Sequence, residues 1–294
     1  MMITPDILCI GSVLWDVIGR ADVAMRQGSD MPGRITQLPG GVALNIAMAL
    51  ARFGLKPALL STVGRDGEGD ALIAACQVRG LITDTVHRSE DLPTDMYMAV
   101  EGSNGLIAAI ADAHSLEAAG DKILLPLSDG TLPKPYTGAV ALDGNLTVDL
   151  LGQLAQTPLL AQADLRVAPA SPGKALRLAP FLQAGRGTLY VNLEEAGLLC
   201  QTRFDTSAEA AEGLLARGAL RAVVTDGGKP ATAAEVSGLI TQTPPTVAVT
   251  RITGAGDTFM AAHIAAELAG SAPAAALEAA LEAAALYVSG ETRI

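Results

Sequence analysis

Short β-branched apolar runs alternate along the chain with longer segments whose apolar positions recur at helical spacing, and glycine or proline marks most of the changes. Ile7-Leu8-Cys9-Ile10 ends at Gly11 and reads as a buried strand leading into a loop, with Asp16 placed over the sheet edge at its end. Residues 17–38 are irregular, with Gly28, Pro32 and Gly33, and predict the turns of a small β excursion. Pro39-Gly40-Gly41 then breaks the chain, and the spacing predicts a helix over 42–53 closed by Gly54. Residues 58–63 read as the next strand, and 70–79 as a helix closed by Gly80. Two further strands, 94–100 and 106–110, flank Ser103-Asn104-Gly105, and Asn-Gly between apolar segments signals a hairpin. Beyond it the alternation becomes regular, with strands at 139–142, 165–168, 189–191 and 222–225 separated by helices at 147–156, 174–183 and 207–217. Such repetition predicts a parallel sheet covered on both faces. A turn-rich stretch and two alanine-rich helices, from Thr258 and from Ala274, complete the pattern.

Length and charge narrow the class. A chain of 294 residues can bury a full core, and one large α/β domain with a small appendage suits it. The net charge of −11 argues against a nucleic-acid backbone or an anionic membrane as the main partner. A small anion remains possible, because local backbone N–H groups can hold one regardless of net charge. Aromatic residues make up only 3% of the chain, so the core is expected to be built from Ala, Leu, Val and Ile. No opening segment has the basic and cleavage features of a signal peptide, and no uncharged apolar run reaches the roughly 18 residues of a membrane span. Cys9, Cys76 and Cys200 lie far apart without metal-ligand spacing and read as reduced core thiols, so the expected compartment is the cytoplasm.

Candidate chemistry concentrates at strand-to-helix turns. In Thr253-Gly254-Ala255-Gly256-Asp257 the small residues would let backbone N–H groups approach an anion at the positive end of the following helix. Asp257 could then take a proton from a hydroxyl attacking phosphorus, or it could be an ordinary first-turn carboxylate after a routine turn. Asn45 follows Gly40-Gly41 and could hold sugar hydroxyls; it could equally be a polar first-turn residue. Asp16 could grip vicinal hydroxyls or be a solvated loop carboxylate. Asn192 and Glu195 share one side of a first helical turn, suited either to a magnesium ion with its water shell or to a reciprocal helix cap. Thr225-Asp226-Gly227-Gly228 could pass under nucleotide phosphates or be a plain loop.

Taken together, Gly40-Gly41 with Asn45, Asn192-Leu193-Glu194-Glu195, Thr225 with Gly227, and Thr253 to Asp257 resemble, in order and separation, the ribokinase-like or PfkB carbohydrate kinases. The resemblance implies an α/β three-layer sandwich with a mainly parallel central sheet, and a single domain, residues 1–294, with a small β lid formed by about 13–37 and 88–112. It implies ATP and Mg2+ as cofactors, with Asp257 as general base and Gly254, Ala255 and Gly256 as the anion hole. Asn192, Thr225 and Gly227 would meet the nucleotide, and Glu195 and Asn192 would serve the metal. Asp16, Gly40, Gly41 and Asn45 would bind the acceptor, a small nucleoside or sugar. Lid strands that expose apolar edges often pair between subunits, so a homodimer through the lid is expected.

Pro32-Gly33-Arg34-Ile35, Thr94 through Tyr97, Ile110-Ala111-Asp112 and Asp143-Gly144-Asn145-Leu146 are most similar to the pseudouridine kinase branch of that family. Thr94, Asp112 or Asp30 would then supply polar groups for a uracil ring, and Trp15 or Tyr97 a surface to pack it. The expected reaction is phosphorylation of the 5′-hydroxyl of pseudouridine by ATP. A kinase for ribose or an adenosine- or uridine-like nucleoside, or a catalytically silent sugar-binding sensor, are the alternatives. The chain departs from the branch at Leu44, where an arginine is common, and at Ala168-Pro169, where Asp-Pro is. Arg251 stands where potassium-activated members of the wider family place a carboxylate, and a guanidinium repels a cation. Turnover is therefore expected to be equal in sodium and potassium salts; a rise specific to potassium contradicts this.

Overall fold

The computed structural model describes residues 4–291, so both ends of the expected 1–294 unit, residues 1–3 and 292–294, lie outside the described residues. In chain order the first part carries β1 (Ile7–Ile10), β2 (Leu14–Arg20), β3 (Arg34–Gly40), α1 (Val42–Arg52), β4 (Pro57–Leu60), β5 (Thr62–Gly64) and α2 (Gly67–Val78). There follow β6 (His87–Ser89), β7 (Met96–Gly102), β8 (Gly105–Asp112), α3 (His114–Ala119), β9 (Ala139–Asp143), α4 (Val148–Gln156) and β10 (Asp164–Ala168). The remainder is α5 (Ala179–Ala184), β11 (Thr188–Asn192), α6 (Leu193–Cys200), α7 (Ser207–Ala216), β12 (Arg221–Asp226), β13 (Lys229–Glu235), β14 (Gly238–Gln242), α8 (Ala255–Leu268) and α9 (Pro273–Ser289).

The main sheet has eight strands in the order β14-β13-β12-β11-β10-β9-β1-β4. Pairing is parallel from β4 through β12 and antiparallel for the last two. Alternation along β1 shows why its run is wholly apolar: Leu8 and Ile10 enter a core with α3 to α7, while Ile7 and Cys9 enter a second core with α1, α2, α8 and α9. Helices therefore cover both faces, giving the expected three-layer sandwich. All three cysteines are free and buried. Among the described residues no helix is long and apolar enough to cross a membrane.

A second, four-stranded sheet runs β3-β2-β7-β8. Its segments leave the main body at the carboxyl end of β1 and return through Gly40-Gly41 to α1 and from β8 to α3. The Asn104-Gly105 hairpin joins β7 to β8 as expected, with Gly105 at φ 97°.

The structure corrects several readings. Asp16 is not at the end of a core strand but within β2 of the second sheet. The expected strand over 58–63 breaks at Ser61 into β4, in the main sheet, and β5, which pairs with β6. The helix over 174–183 begins as a 3-10 turn, Pro172–Leu178, and becomes α-helical at Ala179 with Pro180 in its first turn, where a missing N–H costs least. The turn-rich stretch before the last helices holds the β13–β14 hairpin; Lys-Pro-Ala-Thr-Ala-Ala-Glu has little intrinsic strand preference, and pairing with β12 imposes it.

Helix α8 is tied to the sheet by charge as well as by packing. The Arg166 guanidinium, buried, meets Asp164, Glu267 and the Tyr190 hydroxyl, and Arg221 also meets Glu267. His263 Nδ1 lies 2.9 Å from the Tyr190 oxygen, and burial lowers its pKa to about 4, so the ring is neutral there. These bonds hold the far end of the helix whose first turn carries Asp257.

Candidate active site

The carboxyl ends of the parallel strands all emerge along one edge, the usual ligand edge of an open α/β sheet. The fixed point there is Asp143, the last residue of β9, fully buried. Its Oδ2 accepts from Ser12 N (2.8 Å), Ser12 Oγ (2.5 Å), Ala43 N (3.3 Å) and Asn145 Nδ2 (3.3 Å), and its Oδ1 accepts from Asn145 N (2.7 Å). Ser12 Oγ also accepts from Val42 N at 2.9 Å, and Ser12 O accepts from Leu44 N at 3.2 Å. The first N–H groups of α1 are thus occupied by protein, so this helix start is no anion site. Gly40 and Gly41 are needed for the same packing. A side chain at Gly40 would collide with the Asp16 carboxylate, and at Gly41, φ 98°, a Cβ would come within 2.5 Å of Ser12 O. The space those glycines leave is filled by protein groups, Asp16 and Ser12.

Helix α8 starts differently. Gly254 caps it at φ 87° and ψ −1°, and Ala255 N donates to Ile252 O at 3.0 Å. The N–H groups of Gly254, Gly256 and Asp257 make no hydrogen bond within the described residues, and a Cβ at Gly256 would meet open space. Of the three small residues predicted to form an anion hole, Gly254 and Gly256 keep open donors, whereas the Ala255 N–H is engaged in the turn. Asp257, third in the helix, accepts from Asn45 Nδ2 at 2.9 Å. Burial pushes its carboxyl up to about 7, against the pull of the Asn45 bond and with smaller contributions from the nearby charges of Asp143 and Asp16. Asp16 is itself raised to about 6 by burial. Asn45, Asp257, Asp16 and Asp143 are therefore brought together from α1, α8, β2 and β9, forming a partly buried, carboxylate-rich corner beside open N–H donors.

A second group lies on β11 and β12. Asn192 pairs in register with Thr225, and Gly227 turns at φ 56° two residues later. Asn192 Oδ1 accepts from Glu195 N at 2.9 Å while Glu195 Oε2 accepts from Asn192 N at 2.9 Å, a complete capping box at the start of α6. Asn192 Oδ1 is engaged in the cap, while its amide N–H groups make no bond within the described residues and suit a phosphate. Glu195 is buried, its pKa raised chiefly by desolvation, and its second oxygen makes no bond within the described residues. No cluster of three or more acidic, histidine or cysteine groups able to hold a metal occurs among the described residues.

Other predicted residues are placed elsewhere. Thr94 donates through N (2.8 Å) and Oγ1 (2.6 Å) to Asp66, which caps α2, so both groups are taken up in structure. Asp112 ends β8 beside His114 Nδ1, 2.7 Å away and exposed. Trp15 lies on the opposite face of β2 from Asp16 and donates to Glu68 O, whereas Tyr97 is in register with Asp16 on the same face. Asp30 is exposed in the loop between β2 and β3. The reading missed Ser12 and the role of Asn145, whose Oδ1 accepts from Lys174 Nζ at 2.6 Å; Asp143-Gly144-Asn145 was the available signal.

A poised carboxylate beside open helix N–H donors is the equipment of a phosphotransferase with a hydroxyl acceptor. Residues 4–292 match the pfkB family carbohydrate kinase pattern, and the chain belongs to that family. It is 28% identical over 261 residues to the pseudouridine kinase of Escherichia coli (strain K12), covering 87% of this chain and 81% of that one. It is 32% identical over 143 residues to the uncharacterized sugar kinase YeiI of the same organism, a match spanning 48% of this chain and 39% of YeiI. The structure of Arabidopsis thaliana ribokinase complexed with ribose and ATP superposes with a TM-score of 0.79 at 22% identity, covering 97% of this chain and 93% of that one, and the fold is ribokinase-like.

The raised carboxyl of Asp257 also makes a stability statement. Its proton is held more tightly in the folded chain than at the ordinary value of 3.8, so the favourable contribution is complete below that value and is lost as pH rises through about 7. Asp257→Asn should therefore melt at a higher temperature than wild type at about pH 8 and lose that advantage near pH 4 by scanning calorimetry; equal melting at both would show that the carboxylate is not desolvated.

Proposed function

We propose that the protein transfers the γ-phosphoryl group of ATP to the 5′-hydroxyl of pseudouridine. The observation that carries the phosphoryl-transfer step is Asp257, held by Asn45 and poised near neutrality, next to the unpartnered N–H groups of Gly254 and Gly256. Asp257 removes the acceptor proton as the oxygen attacks phosphorus; the bond from phosphorus to the β-phosphate oxygen breaks, and ADP leaves. The N–H donors meet the negative charge on the transferred group. Asn192, Thr225 and Gly227 at the ends of β11 and β12 hold the nucleotide, Asn192 by donating from its amide. Mg2+, which keeps several waters and needs few protein oxygens, fits the free oxygen of Glu195. Bound there, it would neutralise phosphate charge.

On the acceptor side, Asp16 and Asn45 hold ribose hydroxyls while Gly40 makes the room that Asp16 needs and Gly41 the room for Ser12. The second sheet serves as the lid, carrying Asp16 over the acceptor together with Tyr97, the aromatic ring on the same face. Pseudouridine is favoured by the likeness to the E. coli pseudouridine kinase over most of both chains. Thr94 and Asp112 are weaker candidates for reading the base, one occupied by Asp66 and the other exposed beside His114.

The far face of the lid carries Ile35, Met98 and Ile110, which are 79%, 46% and 69% exposed. A second copy covering that face would account for the apolar patch, and the reading is a homodimer acting in the cytoplasm.

ATP consumption measured with pseudouridine, uridine and ribose should be highest with pseudouridine; a clear preference for ribose transfers the assignment to a sugar kinase. Asp257→Asn should lower turnover by roughly a hundredfold to ten-thousandfold with acceptor affinity nearly unchanged, and wild-type kcat/KM should fall as pH drops below about 7. Light scattering should give twice the chain mass for wild type and the single mass for Ile110→Glu; a monomeric wild type removes the lid pairing.

A further inference from the structure

Helix α9 ends against the segment that leads into the α8 turn. The last carbonyls of a helix have no partner within it. Here Val288 O accepts from Thr250 N (2.8 Å) and Thr250 Oγ1 (3.1 Å), and Tyr287 O accepts from Arg251 Nε (2.7 Å). The Arg251 guanidinium also lies over the Tyr287 ring, 3.9 Å from its centre, a cation–π contact that fixes the plane of the ring. Tyr287 in turn reaches into the turn itself. Its hydroxyl donates to Thr253 O at 2.9 Å, and it fills the space in which a Gly254 side chain would lie, 2.5 Å from the position of a Cβ.

The bond acts on the peptide between Thr253 and Gly254. A trans peptide holds its C=O and N–H in opposite directions. Gripping Thr253 O therefore aims the Gly254 N–H away from Tyr287, and that N–H makes no bond within the described residues. Residues 252–257 are otherwise lightly held: Ile252 is 76% exposed, and besides Asn45 on Asp257 the Tyr287 hydroxyl is their only hydrogen bond from another element among the described residues. Donors contribute to catalysis in proportion to how well they are aimed before charge develops.

Resting on the phosphoryl-transfer reading above, we propose that Tyr287 is a positioning residue: its hydroxyl, braced by Arg251, sets the Thr253–Gly254 peptide and so aims the N–H groups that receive the transferred phosphoryl group. It touches neither substrate nor the reacting atoms, and it acts through the turn.

Tyr287→Phe keeps the ring and its stack with Arg251 and deletes only the hydroxyl. The variant should fold and melt normally, lower kcat by about tenfold to a hundredfold, less than or equal to the loss of a whole oxyanion donor, and leave the acceptor KM unchanged. Independently of any substrate, amide hydrogen exchange in a peptide spanning residues 250–258 should quicken in the variant. Unchanged exchange overturns the proposal, as does unchanged kcat or a loss confined to acceptor KM. A wild-type protein inert toward every acceptor removes the kinase reading before any variant is made, and the exchange measurement then decides alone whether Tyr287 holds the turn.

Discussion

One buried carboxylate ties the site to the fold. Asp143 receives hydrogen bonds from the end of β1, the start of α1 and its own following loop, groups as far as 131 residues apart in sequence. A buried carboxyl group is tolerated only when donors surround it, so the three segments cannot shift relative to one another without leaving a buried polar group unpaired. From this point Asn45 is set by α1 and Asp16 by the chain leaving β1. The ion cluster of Arg166, Arg221 and Glu267 does the corresponding work for α8, so the two helices that meet at Asn45 and Asp257 are each anchored to the same sheet.

The contrast between the starts of α1 and α8 decides what each does. Both follow small residues and both begin with backbone donors, which makes them alike in sequence. At α1 the donors are taken by Ser12 and Asp143; at α8 those of Gly254, Gly256 and Asp257 are not. Asp257 stays close to its neutral form in spite of its place at the positive end of a helix, because burial outweighs the Asn45 bond. A carboxyl in that balance can accept a proton near neutral pH, where a solvated one would be too weak a base.

Local chemistry was legible where it is written in neighbouring residues. The Gly-Gly and Gly-Ala-Gly turns, the Asn192 and Glu195 cap and the Asn-Gly hairpin depend on spacings of a few residues, and each was found where expected. What depended on distant partners was not legible. Nothing near Thr94 reveals that Asp66 takes its hydroxyl, and nothing near Gly40 reveals that Asp16 fills the space it leaves. Asp16 was read as lying over the edge of the main sheet, because the sequence marks the loop at Gly11-Ser12 but not that a new strand of the second sheet begins two residues later at Leu14. The β13–β14 hairpin was hidden for a different reason: its alanines and lysine carry no strand preference, and only the edge of β12 makes them a strand.

Asn45 donates to Asp257 through Nδ2, and its Oδ1 makes no bond within the described residues. One planar amide thus carries the tether of the Asp257 carboxylate on one side and an open acceptor on the other, at a separation fixed by covalent geometry. A ligand hydroxyl that satisfied the oxygen would be held at a set distance from the carboxylate, so the amide would work as a ruler. On the proposed kinase reading it would measure the ligand from the hydroxyl that is gripped to the hydroxyl offered to Asp257, and an acceptor with the right groups at the wrong spacing would bind without meeting that carboxylate.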